Sequence, residues 1–140
     1  MSLKNITPSI ACNGTAEKAI ELYKNALGAK VEAMMRFADA PGMKVTEAEK
    51  PLIMHSLLRV GGGTIMVMDT RPDHPVKPEG NVQIALEFDD PAELEKAFEK
   101  LSSGGSVTLP VQNMFWGARF AMLTDAHGVR WMLNAPLKQA

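Results

Sequence analysis

Cysteine is nearly missing from this chain: Cys12 is the single one in 140 residues. That excludes an internal disulfide and any cysteine-cluster zinc site. Net charge is nearly missing too. Fifteen Lys and Arg against 16 Asp and Glu leave a formal charge of -1, so neither nucleic acid nor an anionic membrane is an expected partner. No apolar run approaches the length that spans a bilayer, and the opening MSLKNITPSI lacks a hydrophobic leader core. Cytoplasmic residence is therefore the expectation. No low-complexity tract is present, and no Ser-His-Asp or Cys-His arrangement can be argued, because nothing sets a base beside a nucleophile.

What is present reads as an ordinary globular protein, with 46% hydrophobic and 22% charged residues. A chain of this length buries roughly 70% of its unfolded surface, enough for a core without staples. Methionine is abundant, at 10 residues. Met66, Met68, Met122 and Met132 fall in strand-like segments. They serve either as core filler or as the lining of a deformable apolar pocket.

An internal repeat decides the fold class. Ala16, Ala19, Ile20, Tyr23 and Leu27 make one apolar helical stripe, and Leu94, Ala97, Phe98 and Leu101 make another. Asp90 suits the cap of the second helix, Pro91 its first position and Glu93 its positive end. Gly28 and Gly104-Gly105 supply the stops. A β-prone run precedes each helix, ITPSIAC (6–12) and VQIALEF (82–88). An alternating segment follows each, with Val31, Ala33 and Met35 on one side in the first copy and Val107, Leu109 and Val111 in the second. Each copy ends in a hairpin, around Gly61-Gly62-Gly63 and around DAHG (125–128). The order is β-α-β-β-β, twice. TRPDHPVKPEG (70–80) links the copies, and ADAPGMKVTEAEKP (38–51) is a long loop in which TEAE favours a helical turn.

This doubled unit resembles the vicinal oxygen chelate superfamily, which includes glyoxalase I, bleomycin-resistance proteins, fosfomycin-resistance enzymes and extradiol dioxygenases. Within it the chain is most similar to the PhnB-like branch, often given the name 3-demethylubiquinone 3-methyltransferase-like. NGTAEKAIELYKNALGAKV (13–31), MHSLLRVGG (54–62), MVMD (66–69) and GGSVTLPVQNMFWGARFAMLTDAHGVRWMLN (104–134) carry the resemblance. It implies an α+β fold, two βαβββ modules forming a curved eight-stranded mixed sheet around a pocket, in a homodimer. The expected organisation is a single domain over 1–140, with module one at 4–69, the linker at 70–80 and module two at 81–135.

The resemblance also implies a divalent metal held by His or Gln and Glu residues of the first, fourth, fifth and eighth strands. Matching positions here, within a residue either way, are Pro8, Met68, Val82 or Gln83, and Leu133. Of these only Gln83 is a useful ligand, so no metal or other cofactor is expected. Nor do the residues support a methyltransferase: GGG (61–63) lies between two alternating strands and reads as a hairpin turn, where S-adenosylmethionine enzymes use a glycine-rich strand-to-helix turn.

Among the polar residues, Asp125 and Gly128 have a sufficient role in the last turn. Trp116 and Arg119 are the leading ligand-binding candidates: an indole N–H with a guanidinium can orient an anionic or carbonyl-bearing molecule. The alternative is a core tryptophan and a rim arginine paired with an acid. His55 is a candidate general base, or else a hydrogen-bonded structural residue. Arg36, Asp69 and Gln83 are further pocket candidates, although the pleat turns Asp69 away from Met68.

The expected function is the binding of a small, mainly apolar molecule with a polar or anionic handle. An enzyme of the lyase, isomerase or dioxygenase type is the alternative. It would need a rearranged metal site of His55, Asp69 and Gln83, or acid–base work by His55 alone.

Overall fold

The computed structural model describes residues 2–77 and 80–137; Pro78 and Glu79 of the expected linker, and the ends of the 1–140 span, lie outside the described residues. Two compact units divide the chain, Met1–Lys77 and Pro78–Ala140. Among the described residues no helix is long and apolar enough to cross a membrane.

Unit 1 runs β1 (Ser9–Cys12), α1 (Ala16–Leu27), β2 (Lys30–Arg36), a 3-10 turn at Phe37–Asp39, β3 (Ile53–Val60) and β4 (Gly63–Asp69). Unit 2 runs β5 (Ile84–Glu87), α2 (Pro91–Leu101), β6 (Ser106–Met114), β7 (Ala118–Thr124) and β8 (Arg130–Pro136). The eight strands are shared out as two four-stranded mixed sheets of one topology, β1-β4-β3-β2 and β5-β8-β7-β6. In each, the first strand runs parallel to the last and the other pairings are antiparallel. The α+β architecture and the repeat are as expected.

The apolar stripes bury as helical spacing requires. Ala16, Ala19, Ile20 and Tyr23 of α1 are buried, as are Leu94, Ala97 and Leu101 of α2. Beneath α1 lie Ile10, Leu58, Ile65 and Val67; in unit 2 the buried strand residues are Ala121, Leu123, Trp131, Leu133 and Ala135. Each such Leu or Val contributes on the order of 1.5–3 kcal/mol by leaving water. The helix ends follow local chemistry. Gly28 stops α1 at φ 66, a left-handed turn that lets its N–H reach Lys24. Asp90 accepts from the Ala92 N–H at 2.9 Å and caps α2 locally.

The cap of α1 comes instead from 53 residues away. Asp69, buried at the end of β4, accepts from the Ala16 N–H at 2.9 Å with Oδ1. Its Oδ2 accepts from the Ile53 N–H at 3.0 Å, which pins the start of β3. One carboxylate thus satisfies a helix terminus and a strand terminus.

The loops are tied as well. Glu49 and Thr46 form a reciprocal capping box in the TEAE turn, with Thr46 N–H to Glu49 at 2.9 Å and Glu49 N–H to the Thr46 hydroxyl at 3.3 Å. Arg71 donates to Glu49 at 2.8 Å and to the Lys44 carbonyl at 2.7 Å, and its guanidinium lies 5.5 Å from the centre of the Phe37 ring. Asn13 binds Val76 through both its side-chain oxygen and its amide nitrogen, so this end of the linker is fastened to the turn before α1.

One expectation fails in both copies. Val31, Ala33 and Met35 do not share a side, because the ladder shifts between Val31, opposite Leu58, and Ala33, opposite Leu57. The same shift falls between Val107, opposite Leu123, and Leu109, opposite Met122. An extra residue inverts the phase of everything beyond it. These repeated bulges turn Ala33 and Met35, and Leu109, to the side of the sheet that carries no helix.

Two predictions follow from these ties. Replacing Asp69 by Ala leaves two buried N–H groups without an acceptor and lowers the unfolding free energy in urea titrations by about 2–4 kcal/mol. The Thr46 N–H, with help from Arg71, holds the Glu49 carboxyl below its ordinary range. A depressed carboxylate stabilises the fold above its unfolded pKa, and that stability is lost as pH falls through the folded value. Protection factors of the 40–52 amides, measured against their intrinsic exchange rates at each pH, should therefore fall as pH drops below the usual glutamate range, and Glu49→Gln should abolish the dependence.

Candidate functional site

Alternation along each strand gives each sheet one face under its helix and one face without. Directly opposed residues share a face, so the ladders identify the second set. In unit 1 it includes Ala33, Met35, His55, Leu57, Met66 and Met68, joined by Ser9 and Ala11 of β1, with Lys30, Arg59 and Thr64 at its hairpin end. Met66 sits between Ser9 and Leu57, and the Ser9 hydroxyl lies 3.9 Å from the Met68 sulfur. The methionines and Leu57 are half-exposed.

In unit 2 the same face carries Ala85, Glu87, Leu109, Gln112, Phe120, Met122, Met132 and Asn134. Met122 and Met132 oppose each other at its centre, and Asn134 lies between Phe120 and Glu87. Above this end the β6–β7 turn brings in Trp116. Its ring packs edge-on against Phe120 at 5.4 Å and against Phe115 at 5.1 Å. Its indole N–H donates to the Asn134 oxygen at 3.2 Å, and the Asn134 amide nitrogen donates to Glu87 at 3.0 Å. Phe115 is 95% exposed and Trp116 48%, so this aromatic pair is open to an incoming molecule.

The structure separates Trp116 from Arg119. Arg119 stands opposite Ala135 on the helix side of the sheet and pairs with Glu95 of α2 at 2.9 Å. That is the rim-arginine alternative, while Trp116 is half-exposed on the other face and no core tryptophan. The core tryptophan is Trp131, whose N–H donates to Asp125 at 2.8 Å. Asp125 also accepts from the His127 and Val129 N–H groups, and Gly128 adopts φ 84, so the TDAHG turn is built as expected.

Arg36 is engaged by Glu17 at 2.7 Å and by the Pro51 carbonyl at 2.6 Å. The bond to Arg36 holds the Glu17 carboxyl below its usual range and raises Arg36 in turn. Asp69 spends both oxygens on backbone N–H groups. His55, half-buried opposite Met35, lies on the methionine face, so His55 and Asp69 occupy opposite sides of one sheet. Gln83 is half-buried just before β5.

Glu87, Asn134 and Phe120 escaped sequence reasoning. Counting by hairpins equates Met68 with Leu133, one residue out of phase. The ladders equate Met68, opposite Ala11, with Asn134, opposite Glu87; Leu133 is buried under α2. The alternation of Trp131, Leu133 and Ala135 as core residues was the available signal.

These positions also decide whether the donor set fits a divalent metal. The fourth-strand position is the thioether of Met68, and the eighth-strand position is the amide of Asn134, already committed to Trp116 and Glu87. Among the described residues no three His, Cys, Asp or Glu side chains cluster as metal ligands would. The residues do not fit the ion.

Comparison with known proteins agrees with this architecture. The family model described as Glyoxalase/Bleomycin resistance protein/Dioxygenase superfamily matches residues 7–133. Protein YjdN of Escherichia coli is 27% identical over 143 residues, covering 96% of this chain and 97% of its own. The crystal structure of protein PA1353 from Pseudomonas aeruginosa is 36% identical with a TM-score of 0.87, covering 97% of this chain and 100% of that one. The PhnB protein from Bacillus cereus, 20% identical over 94% of this chain and 99% of its own, shares the fold at a TM-score of 0.73.

The two tryptophans should differ in quenching. Acrylamide is expected to quench Trp116 strongly and Trp131 hardly at all, so Trp116→Phe should leave only a blue-shifted, protected emission. Strong residual quenching in that variant would contradict the burial of Trp131.

Proposed function

The chain belongs to the glyoxalase/bleomycin resistance protein/dioxygenase superfamily, and from that premise we propose that it binds a small, mainly apolar molecule without a metal ion. The observation that carries this reading is the composition of the helix-free faces. Met35, Leu57, Met66 and Met68 on one sheet, and Leu109, Met122 and Met132 on the other, are apolar side chains that no helix of their own unit covers. Apolar faces of this kind gain stability when a ligand removes them from water, at about 25 cal/mol per Å². Methionine suits the task because its unbranched, polarizable thioether adapts to varied shapes. A few polar groups at the margin, Trp116, Asn134 and Glu87 in unit 2 and His55 in unit 1, would orient what is bound.

Metal-dependent turnover has no support from the donor set, and among the described residues no hydrogen bond joins His55 to a hydroxyl or thiol. The reading of choice is therefore recognition. Its test is calorimetry against a panel of aromatic and alicyclic metabolites with a chelator present. A ligand should bind at defined stoichiometry, and Met68→Lys and Met132→Lys should each weaken it about tenfold or more while leaving the fold intact. Well-folded protein that binds nothing, or binds only when a divalent metal is restored, would sink the proposal.

A further inference from the structure

On the premise that the chain binds a small molecule, we infer that unit 2 selects a ligand bearing a hydrogen-bond-donating cation, an amine or amidine, which docks on Glu87. Trp116, Met122 and Met132 then receive the ligand's apolar body.

The direction of the hydrogen bonds carries the inference. An indole N–H can only donate, and a carboxylate can only accept. Asn134 lies between the two, so its amide has a single orientation, with oxygen toward Trp116 and nitrogen toward Glu87. The relay therefore runs one way, from Trp116 through Asn134 to Glu87. The indole N–H, which would otherwise greet an anion or a carbonyl, is spent inside the relay. What the relay leaves at its outer end is acceptor capacity: Asn134 engages Oε2 of Glu87, and the carboxylate can accept further bonds. A ligand must bring donors to satisfy it.

The placement of the cations points the same way. Arg119 lies on the helix side in its pair with Glu95. Lys96 and Lys100 belong to α2, which covers that same side, and Lys96 pairs with Glu93 at 3.7 Å. Arg130 shares the open face but reaches back to the Gly80 carbonyl. It stands four residues from Asn134, about 13 Å along the strand. Among the described residues of unit 2, none of these cations is bonded to Glu87, which is exposed. A carboxylate beside a half-exposed indole is a pairing that attracts organic cations, through charge-assisted hydrogen bonds and through the ring quadrupole. The handle is thus of opposite sign to the one that Arg119 would favour from sequence.

Three probes with one apolar body test this: 2-naphthylmethylammonium, 2-naphthylmethanol and 2-naphthoate. Affinity is measured by calorimetry, and position by the separate indole N–H resonances of Trp116 and Trp131 in NMR titrations. The ammonium should bind about tenfold or more tighter than the alcohol, and the carboxylate weakest. The Trp116 resonance should move and that of Trp131 stay. Glu87→Gln should bring the ammonium down to the alcohol's affinity, a loss several-fold larger than any change in the alcohol itself. Ammonium affinity should also fall with added salt in the unmodified protein, a readout that holds even if the variant folds poorly. Equal binding of ammonium and alcohol, or tightest binding of naphthoate, would overturn the cationic assignment while the small-molecule reading stands. Failure of all three on folded protein would end both.

Discussion

Strand pleating, interrupted in each repeat by two shifts of register, governs where every side chain of consequence ends up. Along β4 the sequence TIMVMD sends Ile65, Val67 and Asp69 under a helix and Met66 and Met68 to the opposite face. Along β8, RWMLNA sends Trp131, Leu133 and Ala135 inward and Met132 and Asn134 outward. A one-residue difference in phase therefore separates a core residue from a surface one. The buried set carries the stability and the other set is left with no helix of its own unit over it.

The same rule explains why two similar modules hold themselves together differently. Asp69 and Ala135 stand at equivalent places under the two helices, yet only the first has a carboxylate to offer. In unit 1 that carboxylate caps α1 across the fold. In unit 2 the cap has moved into the local sequence, at Asp90. Polar chemistry on the open faces has diverged in the opposite sense. Met68 in unit 1 is matched by Asn134 in unit 2, and Ala11 by Glu87. Among the described residues the Trp116-Asn134-Glu87 relay thus has no counterpart at the equivalent positions of unit 1, where Met68 and Ala11 stand.

Much of the fold was legible in the sequence, for physical reasons. Helical periodicity at Ala16–Leu27 and Leu94–Leu101 is strong, and the Gly28 stop and the Asp90-Pro91 start are local devices that work without tertiary context. The bulges at Glu32 and Thr108 were not legible, because the residues around them are ordinary strand formers. Missing them put Val31 with Ala33 and Val107 with Leu109, on a shared face that neither pair has. The site was less legible still. Trp116 and Arg119 are neighbours in sequence, but Trp116 belongs to the turn and Arg119 to a strand position facing α2. Asp69 looks like a pocket acid in sequence and is a helix cap in the structure. Glu87 and Asn134 were hidden by a slip of one residue in the repeat.

The central claim is that the helix-free sheet faces are the ligand-binding surfaces. Methyl-labelled methionine NMR during titration with 2-naphthylmethanol tests it most directly, since methionines lie on both sides of the β-sheets and in the long loop. Shifts confined to Met35, Met66, Met68, Met114, Met122 and Met132, with Met34 (opposite the buried Ser56) and Met43 unmoved, are the predicted result. Shifts centred on Met34 or Met43, or none on the other six, would contradict it.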